Sequence, residues 1–185
     1  SVGLEADETC VVAGIAARLN PVKDIATLIR GFAKAYRAFP ALRLLIAGDG
    51  EEMANLKQLA ADLGVAKAVC FAGWISDTDS FYNALDINTL TSISETFPYA
   101  LTEGARAGLP TISSKVGGVS YLIDHGSNGF LFPPGEDQAL ADHLLTLARD
   151  PDLRKTMGQR LYEKAKREFS IEATVQRQLE IYDSI

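Results

Sequence analysis

One domain with a sizeable buried core fits 185 residues, and 47% hydrophobic with 23% charged residues is ordinary for a globular fold. A formal net charge of −6 opposes a broad nucleic-acid interface, because the electrostatic term would repel phosphate backbones, yet it leaves room for a local basic pocket. No apolar run reaches the ~18 residues of a membrane span, and no signal-peptide pattern is present.

Residues 1–8 are polar and patternless and read as a tail or boundary, which leaves one domain over 9–185. The apolar run Cys10–Ile15 predicts a buried strand. After Asn20-Pro21-Val22-Lys23-Asp24, the helical spacing of Ile25, Leu28, Ile29, Phe32 and Tyr36 predicts a helix that ends by Pro40. Residues 42–47 predict a second strand. Gly48-Asp49-Gly50 then turns into a helix carrying Met53, Leu56, Leu59, Ala60 and Leu63, capped by Gly64. Residues 69–72 form the third expected strand, ending at Gly73-Trp74, and 77–85 a short helix. A fourth strand is expected over 87–90, a helix over 98–107 with Pro98 in its first turn, and a fifth strand over 111–114. A short helix over 119–124 and a short sixth strand over 130–132 follow. Helices near 137–149, 151–168 and 171–184 finish the chain, with Asp150-Pro151 and Ser170 as their boundaries. Cys10 and Cys70 fall in separate expected strands without metal-ligand spacing, so buried thiols of a reducing compartment are expected.

Near-continuous apolar strands separated by helices imply an α/β fold with a parallel sheet covered on both faces. Right-handed crossovers make it a doubly wound, six-stranded, Rossmann-like sheet with extra C-terminal helices. Ligands in such sheets sit beyond the carboxyl ends of the strands. That rim is supplied by the 16–23 loop, Gly48 to Gly50, Gly73 to Ile75, Ser92 to Tyr99 and Ser114 to Gly118.

Four sets of residues on that rim carry chemistry. Gly48-Asp49-Gly50-Glu51-Glu52-Met53 approaches a dinucleotide fingerprint, but Met53 replaces the third glycine and three acids would repel a pyrophosphate. A tight turn, with backbone contact to a ligand left open, fits better, and the acids suit the start of a helix. Arg18 and Lys23 could clamp a diphosphate, although solvated surface cations are the commoner outcome for such a pair. Thr96, Phe97, Tyr99 and Ala100 bring amides to a helix start, where an anion fits, beside Pro98, which lacks one. Glu95 and Glu103 aim carboxylates at the same crevice and suit sugar or ribose hydroxyls; by spacing alone they could equally be a loop acid and a helix-start acid. His125, in a glycine-rich turn, and His143, on a helix, are expected to be solvated or structural. No P-loop, hydrolase triad or Asp-x-Asp metal site is present.

In order and spacing, these segments resemble the C-terminal, donor-binding domain of a retaining glycosyltransferase of family 4 (group 1), one half of the GT-B architecture. The resemblance runs from about Cys10 to Ile185. It is carried by Ala17-Arg18-Leu19-Asn20-Pro21-Val22-Lys23, Leu45-Ile46-Ala47-Gly48-Asp49-Gly50, Phe71-Ala72-Gly73-Trp74, and Ser94-Glu95-Thr96-Phe97-Pro98 through Glu103-Gly104-Ala105-Arg106-Ala107-Gly108-Leu109-Pro110. Val116-Gly117-Gly118 and Asn128-Gly129-Phe130-Leu131-Phe132-Pro133-Pro134-Gly135 complete it. It implies that Arg18 and Lys23 hold the donor diphosphate and that Glu95 contacts the transferred sugar, these three forming the catalytic set. Glu103 would hold the ribose, the amides of Phe97 to Ala100 the phosphates, and Gly73-Trp74-Ile75 the base, with Gly48 and Gly50 also at the donor. The family usually has glycine where this chain has Ala17, and often where it has Asp24 and Pro98; Asp24 adds negative charge near the phosphate site.

The resemblance further implies a UDP-, GDP- or ADP-sugar substrate and no cofactor or metal. The acceptor is left open among a lipid carrier, a polysaccharide and a small molecule. The N-terminal acceptor-binding domain is expected to be missing from this chain, so little turnover is expected of it alone. The whole protein is expected in the cytoplasm, with peripheral attachment to the inner membrane face as an option. Half of a nucleotide-sugar epimerase, or a non-catalytic nucleotide-sugar-binding module, are the alternatives.

Overall fold

The computed structural model describes residues 9–95 and 99–169. The expected tail 1–8, the helix expected over 171–184, and Thr96, Phe97 and Pro98 lie outside the described residues. Six strands form one sheet: β1 (Val11–Ala16), β2 (Leu42–Ala47), β3 (Val69–Gly73), β4 (Ile87–Leu90), β5 (Thr111–Ser114) and β6 (Gly129–Phe132). Their spatial order is β3-β2-β1-β4-β5-β6, and every neighbouring pair is parallel. The order reverses between β1 and β4, the switch point of a doubly wound sheet, where the loops leaving two strands diverge and open a crevice.

Among the described residues, seven α-helices connect or follow the strands: α1 (Ile25–Ala38), α2 (Met53–Asp62), α3 (Thr78–Asn83), α4 (Tyr99–Arg106), α5 (Val119–Leu122), α6 (Asp137–Arg149) and α7 (Pro151–Phe169). The larger core packs the sheet against α1, α2 and α6, with Ile25, Leu28, Ile29 and Phe32 of α1 fully buried. Each such side chain contributes about 1.5–3 kcal/mol by leaving water. Asp137 at the start of α6 also pairs with Lys34 at 2.6 Å and with Arg30 at 3.5 Å. Part-exposed pairs of this kind are worth roughly 0–1 kcal/mol, so apolar packing holds α1 and α6 together. Two smaller clusters complete the interior. One gathers Leu45, Ala47, Phe81, Tyr82, Leu85 and Leu109. The other gathers Leu90, Leu101 and Ala105 with Val119, Leu122, Leu161 and Ala165, and so joins α4 and α5 to α7.

Among the described residues, the expected strands and helices occur with shifted ends. β1 starts one residue later than expected, and Asp77 caps α3 rather than joining it, accepting from the Ser80 amide at 3.0 Å. A single 3-10 turn at Pro21–Lys23, not anticipated, precedes α1. Both cysteines are half-buried rather than buried. Cys10 precedes β1, and Cys70 lies on β3, the sheet's edge strand, where one side lacks a neighbour. Burial still pushes the Cys70 thiol above its ordinary range.

Candidate functional site

The loop leaving β1 and the turn leaving β2 are laced together by backbone. The Ala17 amide donates to Ala47 O at 3.0 Å, Leu19 to Asp49 O at 2.9 Å, and Glu52 to Leu19 O at 3.1 Å. This close approach explains both glycines. A Cβ on Gly48 would lie 1.8 Å from Ala17 O, and one on Gly50 would lie 2.2 Å from Leu19 O. Gly48 also donates to Gly73 O at 2.7 Å, which ties the turn to the end of β3. Asp49 accepts from the Gly50 amide at 2.7 Å and so closes the turn with its own side chain, and α2 starts without a side-chain cap. The three acids therefore do not act alike. Met53, in place of a third glycine, packs against the main core.

Above this lacing lies a cavity of about 440 Å³ lined by Arg18, Gly48, Asp49, Trp74, Ile75 and Thr78, with Ala16, Ala17 and Ala47 as its floor. Four of the expected residues, Arg18, Gly48, Trp74 and Ile75, thus share one cleft. Gly50 and Gly73 are absent from its lining and shape it through the backbone. Trp74 is 77% exposed.

A second recess of about 250 Å³ adjoins the first and shares Thr78 with it. Glu103 lines it from α4, together with Asp79, Tyr82, Asn83 and Arg106. The helix that carries Glu103 sits low on the sheet: a Cβ on Gly104 would lie 2.3 Å from the Asn88 amide nitrogen. Tyr99 and Ala100 open this helix, and the Ala100 carbonyl accepts from Asn88 Nδ2 at 3.3 Å.

Glu95 and Lys23 form a direct ion pair, and line neither recess. Ser92 Oγ donates to the same Glu95 oxygen at 2.7 Å. The surrounding loops are pinned as well: Thr91 Oγ1 donates to Lys23 O at 2.8 Å, and Ile93 N to Val22 O at 2.9 Å. From the β5 side, Ser114 Oγ donates to Ser92 O at 2.6 Å, and Gly117 passes so close that a Cβ there would be 1.8 Å from Glu95 O. The two residues expected to act on phosphate and on sugar are therefore held against each other.

Asp24 has a local role in the backbone. It adopts φ 45°, the left-handed region, and caps α1 by accepting from the Thr27 amide at 3.3 Å. Its charge therefore faces the positive end of a helix. Substituting alanine removes the cap and leaves the strained φ in place, which should cost about 1 kcal/mol; glycine also removes the cap but relieves the strain, and should be close to neutral. Urea denaturation of the two variants checks this, and equal losses would contradict it.

His125 is structural, its Nδ1 accepting from the Leu131 amide at 3.0 Å, while His143 stacks on Phe130 with ring centres 4.5 Å apart. Burial, and then the nearby His125, hold the His143 pKa below its ordinary value. Among the described residues, no group of three or more His, Cys, Asp and Glu side chains could hold a metal ion, and no helix is long and apolar enough to cross a membrane.

Sequence reasoning missed Thr78 and Tyr82, and it placed Ser92 on the rim without reading its bond to Glu95.

A parallel doubly wound sheet with cationic, acidic and aromatic side chains along its carboxyl rim is the Rossmann-like class of domain, in which ligands sit beyond the strand ends. The match to the family described as "Glycosyl transferases group 1" runs over residues 3–164, and the chain belongs to that family. N-acetyl-alpha-D-glucosaminyl L-malate synthase of Bacillus anthracis is 32% identical over 161 residues, covering 87% of this chain and 42% of that protein. Anabaena Alr3699/HepE, solved in complex with UDP, is 30% identical with a TM-score of 0.88, covering 96% of this chain and 50% of that one. It has also been solved with UDP-glucose. The C-terminal domain of LpcC, a group 1 glycosyl transferase family protein from Francisella tularensis, superposes with a TM-score of 0.81 at 26% identity, covering 87% of both chains. The fold is thus that of a GT-B C-terminal half. This chain spans about half the length of the curated relatives it matches.

Proposed function

We propose that this chain is the donor-binding half of a retaining glycosyltransferase and that its donor is a uridine diphosphate sugar. The observation that carries the reading is the shared cleft: Arg18, the Gly48-Asp49 backbone and Trp74-Ile75 converge there, with Glu103 in the adjoining recess. A relative of 30% identity that binds UDP and UDP-glucose supports the choice of base.

In this reading the base packs beside Trp74 and Ile75, and Glu103 accepts from the ribose hydroxyls. Arg18 presents a planar fork to the diphosphate. As the bond from sugar to phosphate breaks, negative charge grows on the leaving diphosphate. Arg18, Lys23 and the amides at the start of α4 stabilise it in the transition state. Glu95 accepts from hydroxyls of the transferred sugar and holds it in position. Lys23 serves both partners: its ammonium sets the Glu95 carboxylate and faces the developing charge. Acceptor binding falls to the part of the longer relatives that lies outside the match, so sugar transfer belongs to the whole protein.

Trp74 is the chain's one tryptophan, and its exposed ring lines the cleft. Its fluorescence should respond saturably to UDP and UDP-glucose at lower concentrations than to GDP or ADP. No response to any nucleotide, or an identical curve with inorganic pyrophosphate, would overturn the reading.

A further inference from the structure

Tyr82 contributes to the interior and to the site at once. The residue is 2% exposed, in the cluster formed with Leu45, Ala47, Phe81, Leu85 and Leu109. Ala47, in this same cluster, also floors the cleft. The Tyr82 hydroxyl lies 3.1 Å from Glu103 Oε2 and 3.4 Å from Ala100 O. A phenol has one proton to donate, and the shorter contact to a carboxylate is the stronger. The Ala100 carbonyl already has the Asn88 amide as a donor.

We propose that Tyr82 is the positioning residue for ribose recognition: its hydroxyl holds one Glu103 oxygen so that the carboxylate's remaining lone pairs face the two ribose hydroxyls. This rests on the donor-binding reading above and names a residue that reading does not use. A glutamate has three side-chain torsions to order, and a free carboxylate would have to order them as the nucleotide arrives. Here the backbone of Glu103 is fixed by the close seat of Gly104 on Asn88, and the far end of the side chain is fixed by a phenol rooted in the core. The site is ordered before ligand enters, which favours affinity. Burial and the Glu103 charge both raise the Tyr82 pKa, so the phenol keeps its proton and remains a donor.

Binding of UDP, of 2′,3′-dideoxy-UDP and of pyrophosphate by the wild type, Tyr82→Phe and Glu103→Gln tests this by calorimetry. The wild type should prefer UDP to the dideoxy analogue. Tyr82→Phe should shrink that preference by about fivefold to tenfold, less than the loss of a direct hydrogen bond to a charged group because the effect passes through Glu103, and leave pyrophosphate affinity unchanged. A residue that only supported the fold would lower the unfolding midpoint and leave the preference intact, and that result overturns the proposal. Loss of the preference in Glu103→Gln but not in Tyr82→Phe overturns it while sparing the ribose role of Glu103. A wild type that binds UDP and its dideoxy analogue equally overturns both that role and this one. Should Tyr82→Phe fail to fold, a fluorotyrosine placed at position 82 keeps the hydroxyl. Its fluorine resonance should shift with UDP and not with pyrophosphate, and indifference to UDP overturns the proposal.

Discussion

Arg18→Ala is expected to weaken UDP binding about tenfold to a hundredfold while leaving the unfolding midpoint unchanged. The magnitude is that of a hydrogen bond to a charged group, about 1.5–3 kcal/mol. The loop bearing Arg18 is tied to β2 on either side of it, through Ala17 to Ala47 and Leu19 to Asp49. The guanidinium therefore projects into the cleft from a fixed base. Its side chain is exposed, so its removal strips no core contact and the fold is indifferent to it. Arg18→Lys should recover only part of the affinity, because an ammonium cannot bridge two phosphate oxygens with a planar fork. Calorimetric titration with UDP separates the outcomes. Unchanged affinity in Arg18→Ala would remove this side chain from the phosphate site, and a lowered unfolding midpoint would assign it a role in the fold.

Gly48→Ala should be among the most damaging substitutions in the chain, costing about 2–6 kcal/mol of stability. Two effects add. The φ of +129° is a conformation that side-chain-bearing residues rarely adopt, at about 1–3 kcal/mol. A Cβ placed 1.8 Å from Ala17 O forces the two loops apart, at about 1–3 kcal/mol more. The displacement also breaks the floor of the cleft, so nucleotide binding should fall with stability. Gly73→Ala is the internal control. Its φ is +71°, but a Cβ there would meet nothing within 4 Å, so only the left-handed conformation is charged against it, about 1–2 kcal/mol. Chemical denaturation of both variants decides the matter. Equal destabilisation would show that loop contact at Gly48 is not the reason for its glycine.

The sheet was legible because buried parallel strands write themselves as apolar runs, as at 11–16 and 42–47, and α1 because Ile25, Leu28, Ile29 and Phe32 repeat at the helical period. The position of the site was legible too, since loops that follow strands must gather at one rim. The contacts within it were not. Lys23 and Glu95 are 72 positions apart, and Tyr82 and Glu103 are 21 apart; both meetings depend on strand order, which no local pattern encodes. The capping role of Asp24 was not legible either, because a left-handed cap is invisible until the turn before it is known. The split of the rim into two recesses joined at Thr78 likewise comes from how α3 and α4 settle on the sheet.

An amide chemical-shift map of the chain titrated with UDP tests the central claim most directly, because it reads every backbone position at once. Perturbations should cluster at Arg18, Gly48, Asp49, Trp74 and Ile75 and continue through Thr78 to Glu103. Shifts confined elsewhere, for instance around His125 and His143 beside the start of β6, would contradict a nucleotide site at the carboxyl rim.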